Sequence, residues 1–186
     1  MYTRKCRNST VYAGITTLGL TLLRHAAVAK QLQGTCLGWN DVSIEVALFE
    51  AFKVAKLKEK AFDIVISSDL LRCQQTLKKI GKSFTLNPSL REVKFNSEIE
   101  GKRFTEIEKL ESYDKRYLES ESSWHNYICK ESQIDFTTRL KTFLNTLPKD
   151  KEILLCSHAG SIKVMMGILG QKEEQLNYLE YRRYEL

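Results

Sequence analysis

Three short apolar runs, each followed directly by polar residues, constrain the fold of this chain more than any other feature. The runs lie in residues 19–26, 62–69 and 152–160. A short run of large apolar residues is typical of a strand that a parallel sheet buries on both faces, and the polar residues after it then lie at the carboxyl edge of the sheet. The sequence therefore predicts an α/β three-layer sandwich with a mostly parallel central sheet.

The polar residues at the three strand ends predict a single pocket. His25 follows the first run, residues 67–72 end the second, and His158 ends the third. Open α/β sheets bind ligands at the carboxyl edge of their strands. If the three strands are neighbours, these side chains converge at that edge.

Periodicity and capping residues predict helices on both sides of the second run. Apolar residues recur at helical spacing through residues 44–60, which indicates a crossover helix. Asp69 is placed to cap a helix over residues 70–80, which Gly81 then ends. Arg72 falls in the first turn of that helix, so we expect it to face the same sheet edge.

Capping residues also predict helices in the second half of the chain. Thr105 and Glu108 have the spacing of a capping box, and Ser132 is placed to cap the helix that follows it. Residues 119–130 have the composition of a loop or lid. The polar tail, residues 171–186, favours no single element.

Length and composition are those of an ordinary globular protein. The chain has 186 residues, of which 42% are hydrophobic and 28% charged, and this suits one domain over residues 1–186. Residues 1–13 are polar and basic, and we expect them to form a loosely held arm. A formal charge of +6 favours anionic partners. Because the basic residues are spread along the chain, without an arginine-rich block, we expect no binding to nucleic acid.

Cysteine usage favours a cytoplasmic location. The five cysteines are an odd number and lack Cys-x-x-Cys spacing, which argues against a disulfide framework and a zinc site. An apolar run over residues 11–23 and the small residues 27–29 are also typical of a secretory signal. Because Arg24 and His25 lie between them, we interpret the run as a strand. No run approaches the ~20 apolar residues of a membrane-spanning helix, so we expect no membrane partner.

Two histidines, two arginines and a carboxylate at one sheet edge have the chemistry of phosphoryl transfer. A neutral imidazole is a good nucleophile toward phosphorus, and guanidinium groups match phosphoryl oxygens with forked, permanently charged donors. Positioned cations stabilise the charge of the transition state without a metal or cofactor. A carboxyl group can supply the proton that the leaving oxygen needs and then accept one from water.

Four segments of the sequence, taken in order, resemble the histidine phosphatase superfamily, whose fold is phosphoglycerate-mutase-like. The resemblance covers about residues 20–169 and implies a phosphomonoester hydrolase that works through a phosphohistidine. The segments are Leu23-Arg24-His25-Ala26, residues 67–76, Leu90-Arg91-Glu92 with Phe95 and Glu100-Gly101, and Ser157-His158-Ala159-Gly160.

The resemblance implies a role for each matching residue. His25 matches the nucleophile of the family, and Glu92 matches its general acid and base. Arg24, Arg72 and His158 match its phosphate pocket. Further positions of the family's substrate pocket correspond to Gln31, Gly38 and Ala159.

The chain also departs from the family pattern. Ala26 and Ala27 stand where the family usually has glycine and glutamate. The segment after Phe95 is one residue longer than usual, so Glu98 and Glu100 compete with Glu92 as the proton donor. Within the family, the chain looks most like the small α-ribazole phosphatase or broad-specificity phosphatase type.

Three alternatives to a phosphatase of small phosphomonoesters remain open. Two are enzymes, a phosphoglycerate-type mutase and a protein phosphohistidine phosphatase. The third is a catalytically weak protein that binds phosphate esters. We expect a small anionic phosphomonoester as the partner, no cofactor and no metal; the oligomeric state is open.

Overall fold

The sheet predicted from the apolar runs lies at the centre of the molecule. The computed structural model describes residues 19–185, so the predicted arm, residues 1–13, lies outside the described residues. Within them the sheet has the spatial order β3-β2-β4-β1-β5, in which β5 runs antiparallel to β1 and the other pairs are parallel. In chain order the strands are β1 (Gly19–Arg24), β2 (Ile64–Ser67), β3 (Thr85–Leu86), β4 (Ile153–Ser157) and β5 (Tyr181–Glu185).

The register of the central strands brings their carboxyl ends together. Arg24 pairs with Ser157 across β1 and β4, and Ser67 pairs with Cys156 across β2 and β4. Every residue of β4 is buried, as expected for a strand that is covered on both faces. The prediction of an α/β fold with a mostly parallel sheet is therefore confirmed.

Helices and short 3₁₀ turns connect the strands. None of the helices between residues 19 and 185 is long and apolar enough to cross a membrane. The α-helices are α1 (Ala55–Glu59), α2 (Leu71–Ile80), α3 (Phe104–Ile107), α4 (Glu121–Ile128), α5 (Gln133–Asn145) and α6 (Ala159–Ile168). The 3₁₀ turns are Lys30–Leu32, Val46–Leu48, Ala51–Val54, Pro88–Leu90 and Lys115–Glu119.

Two hydrophobic clusters occupy the two faces of the sheet. Successive residues of a strand point to opposite faces, and Leu155 of β4 joins the cluster that contains Phe136 of α5 and Met165 of α6. Its neighbour Leu154 joins the other cluster, which contains Leu77 of α2. Helices therefore cover both faces of the sheet, which makes the three layers.

Two of the predicted helix ends are confirmed, and one is wrong. Gly81 ends α2 in the left-handed conformation, with φ of 76°, and the Ser132 side chain caps α5. Asp69 does not cap α2, which begins after Leu70 without a side-chain cap. Its carboxylate instead accepts hydrogen bonds from Nε and Nη2 of Arg91, at 2.8 and 2.6 Å. A charged bidentate partner competes better for this carboxylate than a backbone amide.

The prediction of one crossover helix over residues 44–60 is wrong. Only Ala55–Glu59 is α-helical, and two 3₁₀ turns precede it. Ile44 forms an isolated antiparallel bridge with Val28, and the amide of Glu45 donates to the carbonyl of Ala27. These contacts hold the start of the segment extended, so tertiary structure overrides the helical spacing of its apolar residues.

The predicted capping box at Thr105 and the predicted loop over residues 119–130 are also wrong. In α3 the amide of Arg103 donates to the carboxylate of Glu106, so the helix begins two residues before the predicted box. Residues 119–130 contain α4, whose first turn is capped by Ser120. The polar tail contributes β5, because its residues pair with the free edge of β1.

We expect Ser132→Ala to lower the free energy of unfolding by about 1 kcal/mol, a typical cost for losing an N-cap. The Ser132 hydroxyl accepts a hydrogen bond of 3.1 Å from the amide of Asp135, and alanine leaves that amide without this acceptor. Urea denaturation followed by circular dichroism measures the change. The control is Ser122→Ala, at an exposed position inside α4, where alanine favours the helix. Equal destabilisation by both substitutions would contradict the cap.

Candidate active site

A cavity of about 390 Å³ lies at the carboxyl edge of the sheet. Its lining includes the predicted site residues with one exception, Gln31. Gln31 is exposed, and its backbone carbonyl accepts a hydrogen bond from Arg103. The predicted residues that line the cavity are Arg24, His25, Gly38, Arg72, Glu92, His158 and Ala159.

His25 begins the loop that follows β1 and is held with a defined ring orientation. Its backbone amide donates to the carbonyl of Ser157, at 3.1 Å, and its side chain is 4% exposed. The Nδ1 atom lies 2.7 Å from the carbonyl of Ala26. A carbonyl only accepts, so Nδ1 carries the hydrogen and Nε2 carries the lone pair.

The surroundings of His25 keep it neutral. Burial lowers the pKa of His25 well below its ordinary value of 6.5, and the nearby charges of Arg72 and Arg24 lower it further. Both causes disfavour the imidazolium form. A neutral imidazole with an unprotonated Nε2 has the form that a nucleophile requires.

His158 lies at the end of β4, beside His25. The centroids of the two rings are 5.2 Å apart, so the structure brings these two distant residues together. Nε of Arg72 donates to Nδ1 of His158 at 3.1 Å, and Nε2 lies 2.9 Å from the hydroxyl of Ser68. A guanidinium only donates, so this ring carries its hydrogen on Nε2. Burial is the largest cause that lowers the pKa of His158 well below 6.5, and the charge of Arg72 is the second.

Arg72 is fixed by carbonyl groups of the loop that closes over α2. Nη1 donates to Asn40 and Nη2 to Gly38, each at 2.8 Å. Each terminal nitrogen carries two hydrogens, so one N–H on each is left for a ligand. The side chain is 1% exposed, and burial lowers the pKa of Arg72.

Arg24 supplies a second guanidinium at the end of β1, and this residue is half-buried. Its Nη1 donates to the carbonyl of Leu176 at 2.6 Å, and its charged carbon lies 4.1 Å from the ring centroid of Tyr178. Its buried Nε has no hydrogen-bond acceptor among residues 19–185. This donor can therefore serve an anion that enters the cavity. Burial lowers the pKa of Arg24.

Glu92 lies at the N-terminus of α6. Its Oε2 accepts a hydrogen bond from the amide of Gly160 at 2.9 Å, and its Oε1 accepts one from Ser161 at 3.1 Å. These two amides fix the position of the carboxylate at the start of the helix. A Cβ atom on Gly160 would lie 2.6 Å from Oε1 of Glu92, so a larger residue at this position would displace the carboxylate.

The two competing carboxylates lie elsewhere. Glu98 is exposed and accepts a hydrogen bond from the hydroxyl of Ser112. Glu100 accepts one from the amide of Trp39, at 2.8 Å. Of the three carboxylates considered, only Glu92 lines the cavity.

The sequence comparisons agree with this geometry. The family model described as Histidine phosphatase superfamily (branch 1) matches residues 20–185. The chain belongs to this superfamily. A comparison with curated proteins found no match.

Several solved structures are similar over most of the chain. TTHB049 from Thermus thermophilus is 28% identical with a TM-score of 0.70, over 89% of this chain and 92% of that one. A phosphoglycerate mutase from the same organism is 25% identical with a TM-score of 0.67, over 89% and 92%. Phosphoserine phosphatase from Entamoeba histolytica, in complex with 3-phosphoglyceric acid, is 26% identical with a TM-score of 0.70, over 89% of each chain.

The identification made from the four segments is thus confirmed for the superfamily. Members of the histidine phosphatase superfamily are phosphoryl-transfer enzymes, and a small molecule that carries phosphate fits the family. The closer likeness to the α-ribazole or broad-specificity type stays a prediction.

An ion pair supports the segment that carries Glu92. Arg139 of α5 binds both carboxylate oxygens of Glu131 at 2.8 Å. The same guanidinium donates to the carbonyl of Ser89 at 2.8 Å and to that of Arg91 at 3.2 Å. Arg139 therefore fixes the backbone just before Glu92, a function that the sequence analysis did not predict.

The sequence analysis also missed lining residues from the polar tail. Tyr178 contacts both Arg24 and His25, with 5.6 Å between the centroids of its ring and the imidazole. Gln175 lines the cavity as well. These residues precede β5, and a single tyrosine in a polar tail has no periodicity from which its position can be predicted.

We expect the free energy of unfolding to fall as the pH drops below about 6.5, the ordinary pKa of histidine. In the folded chain the pKa values of His25 and His158 lie well below that value. The unfolded chain therefore binds protons that the folded chain does not, which favours unfolding by up to ~1.4 kcal/mol per pH unit for each histidine. Above about pH 6.5 both states are neutral at these residues, and this dependence vanishes.

Urea denaturation at a series of pH values between about 5 and 7.5 measures this dependence. His25→Gln removes one of the two groups, so we expect it to reduce the slope by about half. A slope that is the same with and without His25 would contradict the neutral, buried state of this imidazole.

Proposed function

We propose that this chain is a phosphatase that hydrolyses a small phosphomonoester through a phosphohistidine on His25. The observation that carries the proposal is the buried His25 ring, whose Nδ1 faces the carbonyl of Ala26, beside the guanidinium groups of Arg24 and Arg72. We further propose that the phosphatase is of the α-ribazole or broad-specificity type and that it lies in the cytoplasm. The four described cysteines are free thiols, which suits a reducing compartment.

In the first step, Nε2 of His25 attacks phosphorus. The N–P bond forms as the bond between phosphorus and the ester oxygen breaks, and that oxygen leaves with the bonding electrons. Arg24 and Arg72 hold the phosphoryl oxygens and offset the charge of the transition state. Glu92 gives its proton to the departing alcohol oxygen.

In the second step, water attacks the phosphohistidine. Glu92 takes a proton from the water, the N–P bond breaks, and phosphate leaves with His25 neutral again. His158 borders the phosphate pocket and orients Arg72 through its Nδ1 atom. Gly38 contributes through its carbonyl, which holds Arg72, and Ala159 through its place in the lining. Gln31, which the resemblance places in the substrate pocket, is exposed and does not line the cavity.

A phosphoglycerate-type mutase is the second candidate, because one similar structure carries that name. A mutase returns the phosphoryl group to a substrate instead of passing it to water. Transfer between phosphoglycerates would favour the mutase, and binding of phosphate esters without turnover would favour a non-catalytic binding protein. A protein phosphohistidine phosphatase would act on a phosphorylated protein in place of a small ester.

We expect His25→Asn to lower the rate of p-nitrophenyl phosphate hydrolysis by at least about 10³-fold, because it removes the nucleophile. Nitrophenolate release in the presence of EDTA measures the rate, and we expect the unchanged chain to stay active in EDTA. Denaturation in alkali during turnover of a radiolabelled ester traps the phosphohistidine, and later treatment with acid releases its phosphate. Full activity in His25→Asn would exclude this residue as the nucleophile.

We expect Glu92→Gln to affect poor leaving groups most. An alkyl oxygen needs a proton as it leaves, so kcat/KM for ethyl phosphate falls by about 10²–10⁴-fold, the usual size of general acid catalysis. A nitrophenolate leaves without that proton, so kcat/KM for p-nitrophenyl phosphate falls much less. kcat/KM reports the first step, before water attacks.

The control for this substitution is Glu98→Gln, at the exposed carboxylate outside the cavity. We expect similar kcat/KM values with both esters for this variant and the unchanged chain. If Glu98→Gln instead produced the selective loss with ethyl phosphate, the proton donor would have to be reassigned to Glu98.

A further inference from the structure

The turn that leads into β5, residues 176–180, contacts Arg24 at two points. The amide of Glu180 donates to the carbonyl of Asn177 at 3.1 Å, which closes the turn. The carbonyl of Leu176 accepts a hydrogen bond of 2.6 Å from Nη1 of Arg24, and the carbonyl of Glu180 accepts one of 3.0 Å from the amide of Arg24. The turn therefore binds both the guanidinium group and the backbone of this arginine.

The two hydrophobic clusters hold this turn in place. Leu176 is fully buried in the cluster that contains Met165, and Leu179 is fully buried in the cluster that contains Leu77. Between these two leucines, Tyr178 is half-buried and lines the candidate active site. Because close-packed interiors resist displacement of their side chains, the two anchors fix the position of Tyr178.

Leu179 has a backbone conformation that is unfavourable for a leucine. Its φ is 62°, and among residues 19–185 it is the only residue other than glycine with a positive φ. A bulky side chain in the left-handed region strains the backbone, and such strain is found most often at functional sites. Here the strained residue directly follows Tyr178. The fold thus tolerates an unfavourable backbone in the turn that brings this ring to the cavity.

The ring of Tyr178 covers one face of the Arg24 guanidinium. The charged carbon lies 4.1 Å from the ring centroid, and the face of an aromatic ring attracts a cation at this distance. The ring and the carbonyl of Leu176 together hold the guanidinium from two directions. The buried Nε of Arg24 has no acceptor among residues 19–185. These contacts therefore orient the guanidinium and leave Nε available to a phosphoryl oxygen.

We propose that Tyr178 is a positioning residue of the phosphate pocket, whose ring holds the Arg24 guanidinium in the orientation that binds the phosphoryl group. This inference rests on the proposed function, which assigns Arg24 to the phosphoryl oxygens. Without the ring, the guanidinium keeps its bond to Leu176 but gains freedom to rotate. Binding of the anion then has to order it, and that ordering lowers the affinity for phosphate.

Calorimetric binding of inorganic phosphate tests the inference directly. We expect Tyr178→Leu to weaken binding by at least about fivefold, a factor within the range of a desolvated contact between a cation and a ring. Tyr178→Phe keeps the ring, so we expect its affinity to stay within about twofold of that of the unchanged chain. Tyr178→Met repeats the test if Tyr178→Leu does not fold.

The matched control is Tyr181→Leu. Tyr181 is also half-buried, but it lies in β5 and outside the lining of the cavity. We expect this variant to bind phosphate as the unchanged chain does. Equal weakening by Tyr178→Leu and Tyr181→Leu would indicate a general effect of losing a packed ring and would overturn the inference.

Hydrolysis of two esters separates a role in phosphate binding from a role in proton transfer. Arg24 binds the phosphoryl group, which p-nitrophenyl phosphate and ethyl phosphate share. We therefore expect Tyr178→Leu to lower kcat/KM for both esters by a similar factor of at least about five, whereas Glu92→Gln affects ethyl phosphate most. A loss with ethyl phosphate alone would assign Tyr178 to the leaving group and contradict the inference.

The outcomes distinguish this inference from the proposed function. If neither ester is hydrolysed, the phosphatase proposal fails, and the phosphate affinities alone decide the role of Tyr178. Weaker binding in Tyr178→Leu that Tyr178→Phe restores supports the inference. It is overturned if the unchanged chain binds no phosphate, if Tyr178→Leu binds phosphate as well as the unchanged chain, or if Tyr178→Phe loses as much affinity as Tyr178→Leu, even when both esters are hydrolysed.

Discussion

Buried positive charge at the carboxyl edge of the sheet is the constraint on which the site depends. Removing Arg72 and part of Arg24 from water is costly, and backbone carbonyls offset part of that cost by accepting hydrogen bonds from both guanidinium groups. The same charges, together with burial, keep His25 and His158 neutral. An entering phosphate dianion would complete the charge balance. The arginine charges that disfavour a protonated imidazole therefore also favour binding of the phosphate ester, which a neutral imidazole can attack.

The proton-transfer side and the phosphate side of the site meet at the start of α6. Glu92 is held by the first amides of α6, and its backbone segment is tied to α5 through Arg139. α6 begins directly after His158, which joins the phosphate side through Arg72. One helix start therefore positions both the carboxylate and the imidazole. This shared support fixes the carboxylate of Glu92 relative to the imidazole of His158.

The predictions that succeeded concern local patterns, and those that failed concern competition between contacts. The three apolar runs became β1, β2 and β4 because a buried strand is recognisable from its own residues. Ser132 capped its helix because the acceptor and its amide lie three residues apart. Asp69 did not cap α2 because Arg91, remote in sequence, binds its carboxylate. The helix over residues 44–60 was broken in the same way, by pairing with the loop after β1.

The sequence by itself determined the α/β class, the strands of the central sheet and the family, because burial and motif spacing are properties of short segments. It also named the two histidines and two arginines that meet at the sheet edge. Only the tertiary structure decided that Glu92, and not Glu98 or Glu100, lies in the cavity, that Gln31 lies outside it, and that Tyr178 borders it. These are distances between residues far apart along the chain, and they depend on how helices and loops pack on the sheet.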